Sequence, residues 1–402
     1  MEKIKNVSDD LYWVGALDPN LKVFDIIMET KFGTSYNSYL LKGTEGIAIF
    51  ETVKDRFFDE YIEKIKSIVD PEKIDYIVVD HTEPDHSGSV GKLLKYASNA
   101  TVVGSGQAIT YLKEIVNEPF KNKVVKDGDV LSLGNKTIRF ISAPCLHWPD
   151  TIYSYVEEEK VLLTCDSFGA HYSSDKVFRH DLESEKDEEY LEAYKFYYDM
   201  IISPFKIFVL NALEKIKDLD IEYICPGHGM ILDGKFIDEY KALYKEWSTE
   251  IPRPVPSIVL GYVSAYDYTD QLAKKIIEGI NSTNKGYELL VYDLSTANLD
   301  DVIKEIGQAK ALLVGSPTIL ADALPPVLKL LYNLNPQINK GLYASCFGSY
   351  GWSGEGIKNM EQRLLQLKCK MPVEPLKVRF KPSEEQLQQA FEFGVNFVNS
   401  IK

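Results

Sequence analysis

Residues 81–86 read His81-Thr82-Glu83-Pro84-Asp85-His86, which brings two histidines and two carboxylates into one short stretch. Three later segments carry similar side chains: Leu146-His147-Trp148, Cys165-Asp166-Ser167 and Pro226-Gly227-His228-Gly229. Together the four segments supply four imidazoles and three carboxylates. A tetrahedral zinc ion takes four donors, or three and a water molecule, so this set indicates two adjacent metal ions with Asp166 as the natural bridge.

The sequence before residue 250 alternates short apolar segments with helical patterns, and the metal-ligand candidates follow the predicted strands. Strands are predicted at 39–41, 47–50, 76–79, 101–103, 137–141, 161–163 and 223–224. Helices are predicted at 59–68, 89–96, 107–116 and, as one long stretch, 188–216. Ligands at the ends of strands can be held rigidly while loops leave room for a substrate, so we expect a layered αββα sandwich.

A boundary is indicated at Ile251-Pro252-Arg253-Pro254-Val255-Pro256, because closely spaced prolines prevent a helix and favour an extended linker. We therefore expect a domain at 1–250, a linker at 251–256 and a second domain at 257–402. In the second domain strands are predicted at 257–263, 288–293, 311–314, 341–345 and 378–380, and helices at 269–280, 299–306, 326–334, 356–367 and 383–398. This alternation predicts a doubly wound parallel sheet whose ligand lies at the carboxyl ends of the strands.

Three loops at those ends suit a flavin mononucleotide (FMN). The first loop, residues 264–269, opens a helix, where N–H groups and hydroxyls can surround a phosphate. In the third loop, residues 347–353, aromatic rings can stack on the flat flavin ring, and glycines allow the backbone to approach it closely. Alone, the third loop could equally be a turn packed on the core. Asp267 is excluded from the set because a carboxylate repels a phosphate. The candidates are Ser264, Ala265, Tyr266, Tyr268 and Thr269, then Ser316, Pro317 and Thr318, then Phe347, Gly348, Ser349, Tyr350, Gly351, Trp352 and Ser353.

Composition excludes several classes of function. The formal net charge of the 402 residues is -15, and no basic face stands out, which argues against a nucleic-acid partner. No segment approaches the roughly eighteen apolar residues of a membrane span, and the charged N-terminus does not resemble a signal peptide. Five cysteines without a CxxC pair fit a reducing compartment, so we expect a cytoplasmic protein.

The remaining histidines and cysteines near these segments have separate interpretations. His171 follows Asp166 closely enough to be a candidate proton donor behind the metal ligands, whereas His180 is expected to be a surface or structural residue. Cys145, Cys165 and Cys225 are expected to be small buried hydrophobic residues, although a thiolate ligand remains open.

On these residues the chain resembles the flavodiiron proteins, also called A-type flavoproteins, over nearly its full length. The resemblance implies a metallo-β-lactamase-like domain with a non-haem di-iron centre, followed by a flavodoxin-like domain with FMN. Hydrolytic relatives of the fold usually have a histidine where this chain has Glu83. Carried over to this chain, the resemblance implies that His81, Glu83 and His147 bind one iron, that Asp85, His86 and His228 bind the other, and that Asp166 bridges them. His86 is the ligand whose equivalent can swing away and leave its place to water.

The resemblance also implies an activity: reduction of O2 to water with four electrons, reduction of NO to N2O, or both. Two ferrous ions and a fully reduced flavin together hold the four electrons that O2 requires. The electrons are expected from an external donor such as a rubredoxin, a rubredoxin reductase or a deazaflavin, since no paired CxxC motifs of a fused rubredoxin are present. A head-to-tail homodimer, or a dimer of dimers, is implied, in which the flavin of one subunit lies beside the irons of the other.

Two alternatives remain open at this stage. One is a hydrolase with a dinuclear zinc site and a regulatory flavodoxin domain. The other is an electron carrier in which the flavin works alone and the first domain is structural. The hard oxygen donor and negative charge of Glu83 favour iron over zinc.

Overall fold

The computed structural model describes residues 5–25, 28–249 and 253–402, and the chain forms two compact units, Met1–Glu250 and Ile251–Lys402. Ile251 and Pro252 of the predicted linker lie outside the described residues. Within the described residues, no helix combines the length and the apolar character that crossing a bilayer requires.

The first unit is built from two sheets with helices on their outer faces. Its strands are β1 (Lys5–Asn6), β2 (Leu11–Trp13), β3 (Ala16–Asp18), β4 (Val23–Phe24), β5 (Met28–Glu29), β6 (Thr34–Tyr36), β7 (Tyr39–Lys42), β8 (Ile47–Phe50), β9 (Tyr76–Val78), β10 (Thr101–Gly104), β11 (Asn122–Val124), β12 (Val130–Ser132), β13 (Thr137–Ser142), β14 (Ile152–Val156), β15 (Val161–Cys165), β16 (Tyr223–Pro226) and β17 (Leu232–Asp233). Its helices are α1 (Phe58–Lys66), α2 (Pro84–Ser87), α3 (Val90–Tyr96), α4 (Gly106–Val116), α5 (Asp187–Tyr197), α6 (Lys206–Ile216) and α7 (Lys235–Ser248).

The two large sheets pack face to face, which confirms the predicted αββα sandwich. One sheet has the order β1-β2-β7-β8-β9-β10-β11 and the other β12-β13-β14-β15-β16-β17. A buried apolar cluster contains inward-facing residues of both sheets, including Trp13 and Phe50 of the first and Phe140 and Val161 of the second. Two further clusters lie beneath α1, α3 and α4 and beneath α5, α6 and α7. Alternating faces of each strand thus meet the opposite sheet and the outer helices.

The prediction of one long helix at 188–216 is wrong. Helix α5 ends at Tyr197, a π-helical turn spans Tyr198–Ile202, a 3-10 turn spans Ser203–Phe205, and α6 then begins at Lys206. Pro204 has no N–H to donate and its ring clashes with the preceding turn, so it prevents a continuous α-helix.

The second unit is a five-stranded parallel sheet covered by helices on both faces, as predicted. Its strands are β18 (Ser257–Tyr262), β19 (Glu288–Asp293), β20 (Ala311–Gly315), β21 (Tyr343–Tyr350) and β22 (Leu376–Arg379), and its helices are α8 (Tyr268–Ser282), α9 (Leu299–Gly307), α10 (Pro325–Asn333), α11 (Glu355–Gln366) and α12 (Glu384–Ser400). The strand order is β19-β18-β20-β21-β22. The chain leaves β18 toward one side and returns on the other, which creates the crevice where ligands of such sheets bind.

The fourth strand of this sheet is longer than predicted. The sequence indicates a strand at 341–345, whereas β21 continues to Tyr350. Residues Phe347 to Tyr350 pair with Leu376 to Arg379 of β22, so the glycine and serine within them are held in the sheet despite their low strand propensity. Pairing with a neighbouring strand overrides the local preference. Part of the third predicted FMN loop is therefore strand.

Candidate metal centre

The ends of three strands carry most of the predicted metal ligands. His81 and Glu83 follow β9, and the short helix α2 then presents Asp85 and His86. Asp166 directly follows β15, and His228 follows the adjacent parallel strand β16. His147 lies between β13 and β14. The structure brings all seven side chains into two neighbouring groups of possible metal-binding atoms.

The first group surrounds one oxygen of Asp166. His81 Nε2 and His147 Nε2 lie 3.3 and 3.1 Å from Asp166 Oδ2. Glu83 Oε2 lies 2.8 Å from His147 Nε2 and 3.5 Å from His81 Nε2. Two imidazoles and two carboxylate oxygens therefore face a common point, which is a donor set for one transition metal.

The second group surrounds the other oxygen of the same carboxylate. His86 Nε2 lies 3.0 Å and His228 Nε2 3.6 Å from Asp166 Oδ1. Asp85 Oδ2 lies 3.1 Å from His228 Nε2 and 3.5 Å from His86 Nε2. Because the two oxygens of Asp166 face different groups, this carboxylate is placed to join two metal ions.

Burial and charge in this cluster fit cations. His81, Asp85, His86, Asp166 and His228 are buried. Burial lowers the pKa of His86, but the negative charges of Asp85 and Asp166 outweigh it and raise that pKa to about 10. Burial alone would raise the pKa of Asp166, yet the imidazoles of His86 and His147 hold it well below its usual range. Carboxylates kept ionised inside a protein need positive partners, which metal ions supply.

Unpartnered buried atoms provide a further test of the fit. Among the described residues, His81 Nε2 and both carboxylate oxygens of Asp85 have no hydrogen-bond partner. Buried polar atoms are nearly always paired in native proteins, so such atoms need a ligand. Coordination to a metal would satisfy all three. The residues present therefore fit a dinuclear metal site.

Asp150 orients one of these ligands, and sequence reasoning missed it. Its Oδ2 accepts hydrogen bonds from the Thr82 N–H at 2.7 Å and the Thr82 hydroxyl at 2.8 Å, and it lies 3.2 Å from His81 Nδ1. This contact directs His81 Nε2 toward the site and fixes the tautomer, as outer partners of metal-binding histidines commonly do. The feature of the sequence that could have identified Asp150 is the position of this acidic residue, three residues after His147.

His228 is oriented by the backbone in the same way. Its Nδ1 lies 2.5 Å from the carbonyl oxygen of Ser35, which leaves Nε2 directed at Asp85. In the first group of ligands, His81 is also held by the ring of Trp148, which packs edge-on against it with ring centroids 5.1 Å apart. These contacts restrict the rotation of two ligands before any metal binds.

His171 lies behind the second group. Its ring is buried, its centroid is 5.0 Å from that of His228, and its Nδ1 lies 2.9 Å from the hydroxyl oxygen of Thr34. Burial and the neighbouring His228 hold the pKa of His171 well below its usual range. The ring is therefore a neutral imidazole in contact with a ligand. The Tyr197 ring lies beside it, with centroids 4.9 Å apart.

The cysteines near the site are free thiols. Cys165 and Cys225 are buried and Cys145 is half-buried. The Sγ atom of Cys165 lies within 4.8 Å of possible metal-binding atoms of His86 and Asp166. Burial, with the nearby charges of Glu51 and Asp166, raises the pKa of the Cys165 thiol well above its usual range. A protonated thiol is a weak ligand, so the carboxylates and imidazoles are the better metal donors here.

The residues predicted to bind FMN come together in the second unit at the carboxyl ends of β18, β20 and β21, which are neighbouring parallel strands. The hydroxyl oxygens of Thr269 and Ser349 lie 3.0 Å apart, and the Thr318 N–H donates to the Ser349 carbonyl at 2.9 Å. The three segments thus form one continuous surface at the crevice of the sheet.

That surface has the features that FMN requires. The side chains of Tyr266 and Trp352 are 73% and 95% exposed, so two aromatic faces are available for stacking. The buried hydroxyl oxygen of Thr318 has no partner among the described residues. Asp267 precedes α8 without a side-chain hydrogen bond to it, so its carboxylate leaves the helix N-terminus available to a phosphate. Phe347 differs from the prediction: its ring is fully buried beneath Gly315 and packs in the core.

Comparison with known proteins agrees with both units. Residues 34–229 match the family described as ODP family beta lactamase, and residues 260–394 match the flavodoxin family. The flavo-diiron protein FprA2 of Clostridium acetobutylicum is 40% identical over 98% of this chain and 99% of its own length. A nitric oxide reductase of Moorella thermoacetica is 36% identical over 96% of each chain.

A solved structure with both domains is also similar. The rubredoxin oxygen:oxidoreductase from Desulfovibrio gigas superimposes with a TM-score of 0.69 at 28% identity, covering 99% of this chain and 98% of that chain. The similarity therefore extends through both units, in the same order along the chain. With its paired groups of metal-binding side chains and its flavodoxin unit, the chain belongs to the flavo-diiron protein family.

Proposed function

We propose that this protein reduces O2 to water, NO to N2O, or both, at a non-haem di-iron centre that receives electrons from FMN. The arrangement of two donor groups on the two oxygens of Asp166 carries this proposal. The relatives named a nitric oxide reductase and a rubredoxin oxygen:oxidoreductase support it. The two domains would be residues 1–250 and 257–402, joined by the linker at 251–256.

The assignment of ligands follows the two groups. His81, Glu83 and His147 would hold one iron, Asp85, His86 and His228 the other, and Asp166 would bridge them. When bound, the iron pair supplies a binding site for a diatomic gas and electrons for its reduction, and FMN restores those electrons. Glu83 contributes a hard anionic donor, which favours iron over zinc.

The surrounding residues prepare the site. Asp150 and the Ser35 carbonyl orient His81 and His228, so their Nε2 atoms need no reorientation on metal binding. His171, which the sequence predicts as a proton donor, has a lowered pKa and a hydrogen bond with Thr34. We propose that it holds His228 in position. As a neutral imidazole it could give up a proton only from its ring N–H while taking another in return.

The FMN site is proposed at the surface formed by the three segments of the second unit. Ser264, Ala265, Tyr268 and Thr269 would surround the phosphate at the start of α8. Tyr266, Tyr350 and Trp352 would lie against the ring, while the backbone from Ser316 to Thr318 and from Phe347 to Ser353 would line its edge. Gly348 allows its strand to pack closely against the Ser316 backbone, because a Cβ at this position would lie 1.9 Å from the Ser316 carbonyl oxygen.

Electrons would come from an external donor such as a rubredoxin, a rubredoxin reductase or a deazaflavin. We also propose a head-to-tail homodimer, alone or as a dimer of dimers. Four large apolar residues that follow strands of the second unit are exposed, as residues of an interface commonly are in the separate subunit: Tyr266, Leu320, Trp352 and Phe380. All five cysteines are free thiols, which supports a reducing compartment and hence the cytoplasm.

The decisive experiment is anaerobic reduction of protein with known iron and FMN content, followed by rapid mixing with O2 or with NO. We expect oxidation of the flavin to accompany consumption of at least one gas. Full cofactor content with no consumption of either gas would refute the proposal. Zinc in the site with ester, thioester or lactam hydrolysis would instead support the hydrolase alternative. Substitution of Asp166 or Glu83 that leaves every activity of the protein unchanged, not flavin reduction alone, would support the electron-carrier alternative.

Replacement of Asp150 tests the orientation of His81. We expect Asp150→Asn to weaken iron binding by about tenfold to a hundredfold, because the charge that orients the His81 ring is lost. FMN content should not change, since the second unit is untouched. Iron affinity measured by competition with a chelator checks this result. Asp218→Asn, at an exposed position, is the control, and equal iron affinities in the two variants would contradict the role of Asp150.

A further inference from the structure

A cavity of about 260 Å³ lies in the second unit, away from the segments proposed to bind FMN. It is lined by the end of α9, by residues 338–343 and by Lys370. Lys310 directly precedes β20 and Tyr343 begins β21, so the cavity is at the amino ends of these strands. The distance along β20 to Ser316, at its carboxyl end, is about 20 Å for an extended chain. The cavity is thus separate from the FMN surface.

Lysines dominate the charge of this cavity. Lys310, Lys340, Lys370 and Lys402 all line it, and no carboxylate in the described part of the chain forms an ion pair with any of them. The Nζ atoms of Lys310 and Lys370 lie 5.8 and 5.1 Å from the centroid of the Tyr343 ring, so both are gathered around one side chain. In a chain with a formal net charge of -15, a group of lysines without acidic partners is a local exception.

A buried amide in the same cavity also lacks a partner. Asn339 is only 4% exposed; its Nδ2 donates to the Asn335 carbonyl at 2.8 Å, while its Oδ1 has no hydrogen-bond partner among the described residues. A buried acceptor without a donor destabilises the folded protein. A ligand that carries a hydroxyl or N–H group beside its negative charge would supply that donor.

The balance of charge favours an anion. Helix α9 ends at Gly307, and its C-terminal end contributes roughly half a negative charge to the cavity wall. The ammonium groups of Lys310, Lys340 and Lys370 exceed this several-fold. Lysines bind phosphate as point charges, and protonated phosphate offers a hydroxyl donor to Asn339. The volume suits a phosphate with at most a short organic part, because pockets for larger ligands start at about 300 Å³.

We propose that this cavity binds a small phosphate-bearing anion. Lys310, Lys340 and Lys370 neutralise its charge, Asn339 accepts a hydrogen bond from it, and the buried Ile306 and Leu342 form the apolar floor. The proposal does not depend on the reduction of O2 or NO.

Calorimetric titration of FMN-loaded protein with inorganic phosphate, pyrophosphate or glycerol phosphate tests this site, because FMN then occupies its own phosphate site. We expect one ligand per chain, with affinity that falls as salt is added. Combining Lys340→Gln with Lys370→Gln should weaken binding about tenfold or more, because each charged hydrogen bond is worth about that factor or more. Equal affinities for phosphate and glycerol phosphate would identify free phosphate as the ligand, and tighter binding of glycerol phosphate would identify an organic phosphate.

The control is Lys329→Gln on α10, an exposed lysine that does not line the cavity. It should bind each anion as the unsubstituted protein does. Unchanged FMN content and thermal stability in the double variant would show that its fold is intact. No saturable binding of any of the three anions, or equal affinities in the double variant and the control, would overturn the proposal.

Discussion

Replacing Asp166 with asparagine is expected to empty the di-iron site while leaving FMN in place. The two oxygens of Asp166 face separate groups of ligands, 3.3 Å from His81 Nε2 on one side and 3.0 Å from His86 Nε2 on the other. Asparagine removes the shared negative charge and offers a nitrogen that cannot coordinate. Removing one partner from a buried charged set costs about 3–5 kcal/mol, so iron affinity should fall by roughly two to three and a half orders of magnitude.

Iron and FMN content of the purified Asp166→Asn variant, with its gas consumption under reducing conditions, would check this expectation. The matched control is Asp238→Asn, whose carboxylate is 93% exposed and 3.9 Å from Lys241. It should retain iron, FMN and turnover. If Asp166→Asn bound two irons with normal affinity, the bridging role of Asp166 would be wrong; if it lost FMN as well, the effect would not be local to the metal site.

The second large effect is expected at Gly348, within β21. A Cβ at this position would lie 1.9 Å from the backbone carbonyl oxygen of Ser316, which cannot move without disturbing the neighbouring segment. Overpacking of this kind costs about 1–3 kcal/mol. Because each 1.4 kcal/mol is tenfold in an equilibrium constant, this strain at the binding surface should weaken the binding of FMN to Gly348→Ala by about fivefold to a hundredfold.

FMN retention after gel filtration would measure the weaker binding of FMN by Gly348→Ala. Urea unfolding of the flavin-loaded protein would measure the loss of stability. Gly307→Ala is a matched control, because a Cβ there would make only an ordinary contact of 3.6 Å with Ile338. At the end of α9 this change should leave FMN binding unaffected and stabilise the fold by at most about 1 kcal/mol. Iron content should be the same in both variants. Normal FMN affinity in Gly348→Ala would contradict the close packing proposed for this strand.

The two domain architectures could be predicted from local sequence patterns. Alternating apolar residues marked the strands, and regular strand and helix segments after residue 257 predicted the parallel sheet. The close spacing from His81 to His86 identified the first ligands, because neighbours in sequence stay neighbours in space. The resemblance carried by Glu83 then indicated the family. Such features depend on residues only a few positions apart.

Tertiary structure decided how these parts meet. His228 reaches the Oδ1 side of Asp166 because β15 and β16 lie side by side, and Asp150 reaches His81 across 69 positions of sequence. Likewise, the pairing of β21 with β22 extended the strand through Phe347, whose ring is then buried rather than available to a flavin. Periodicity shows which face of an element is apolar, whereas the partner that covers that face depends on strand register and packing between distant segments.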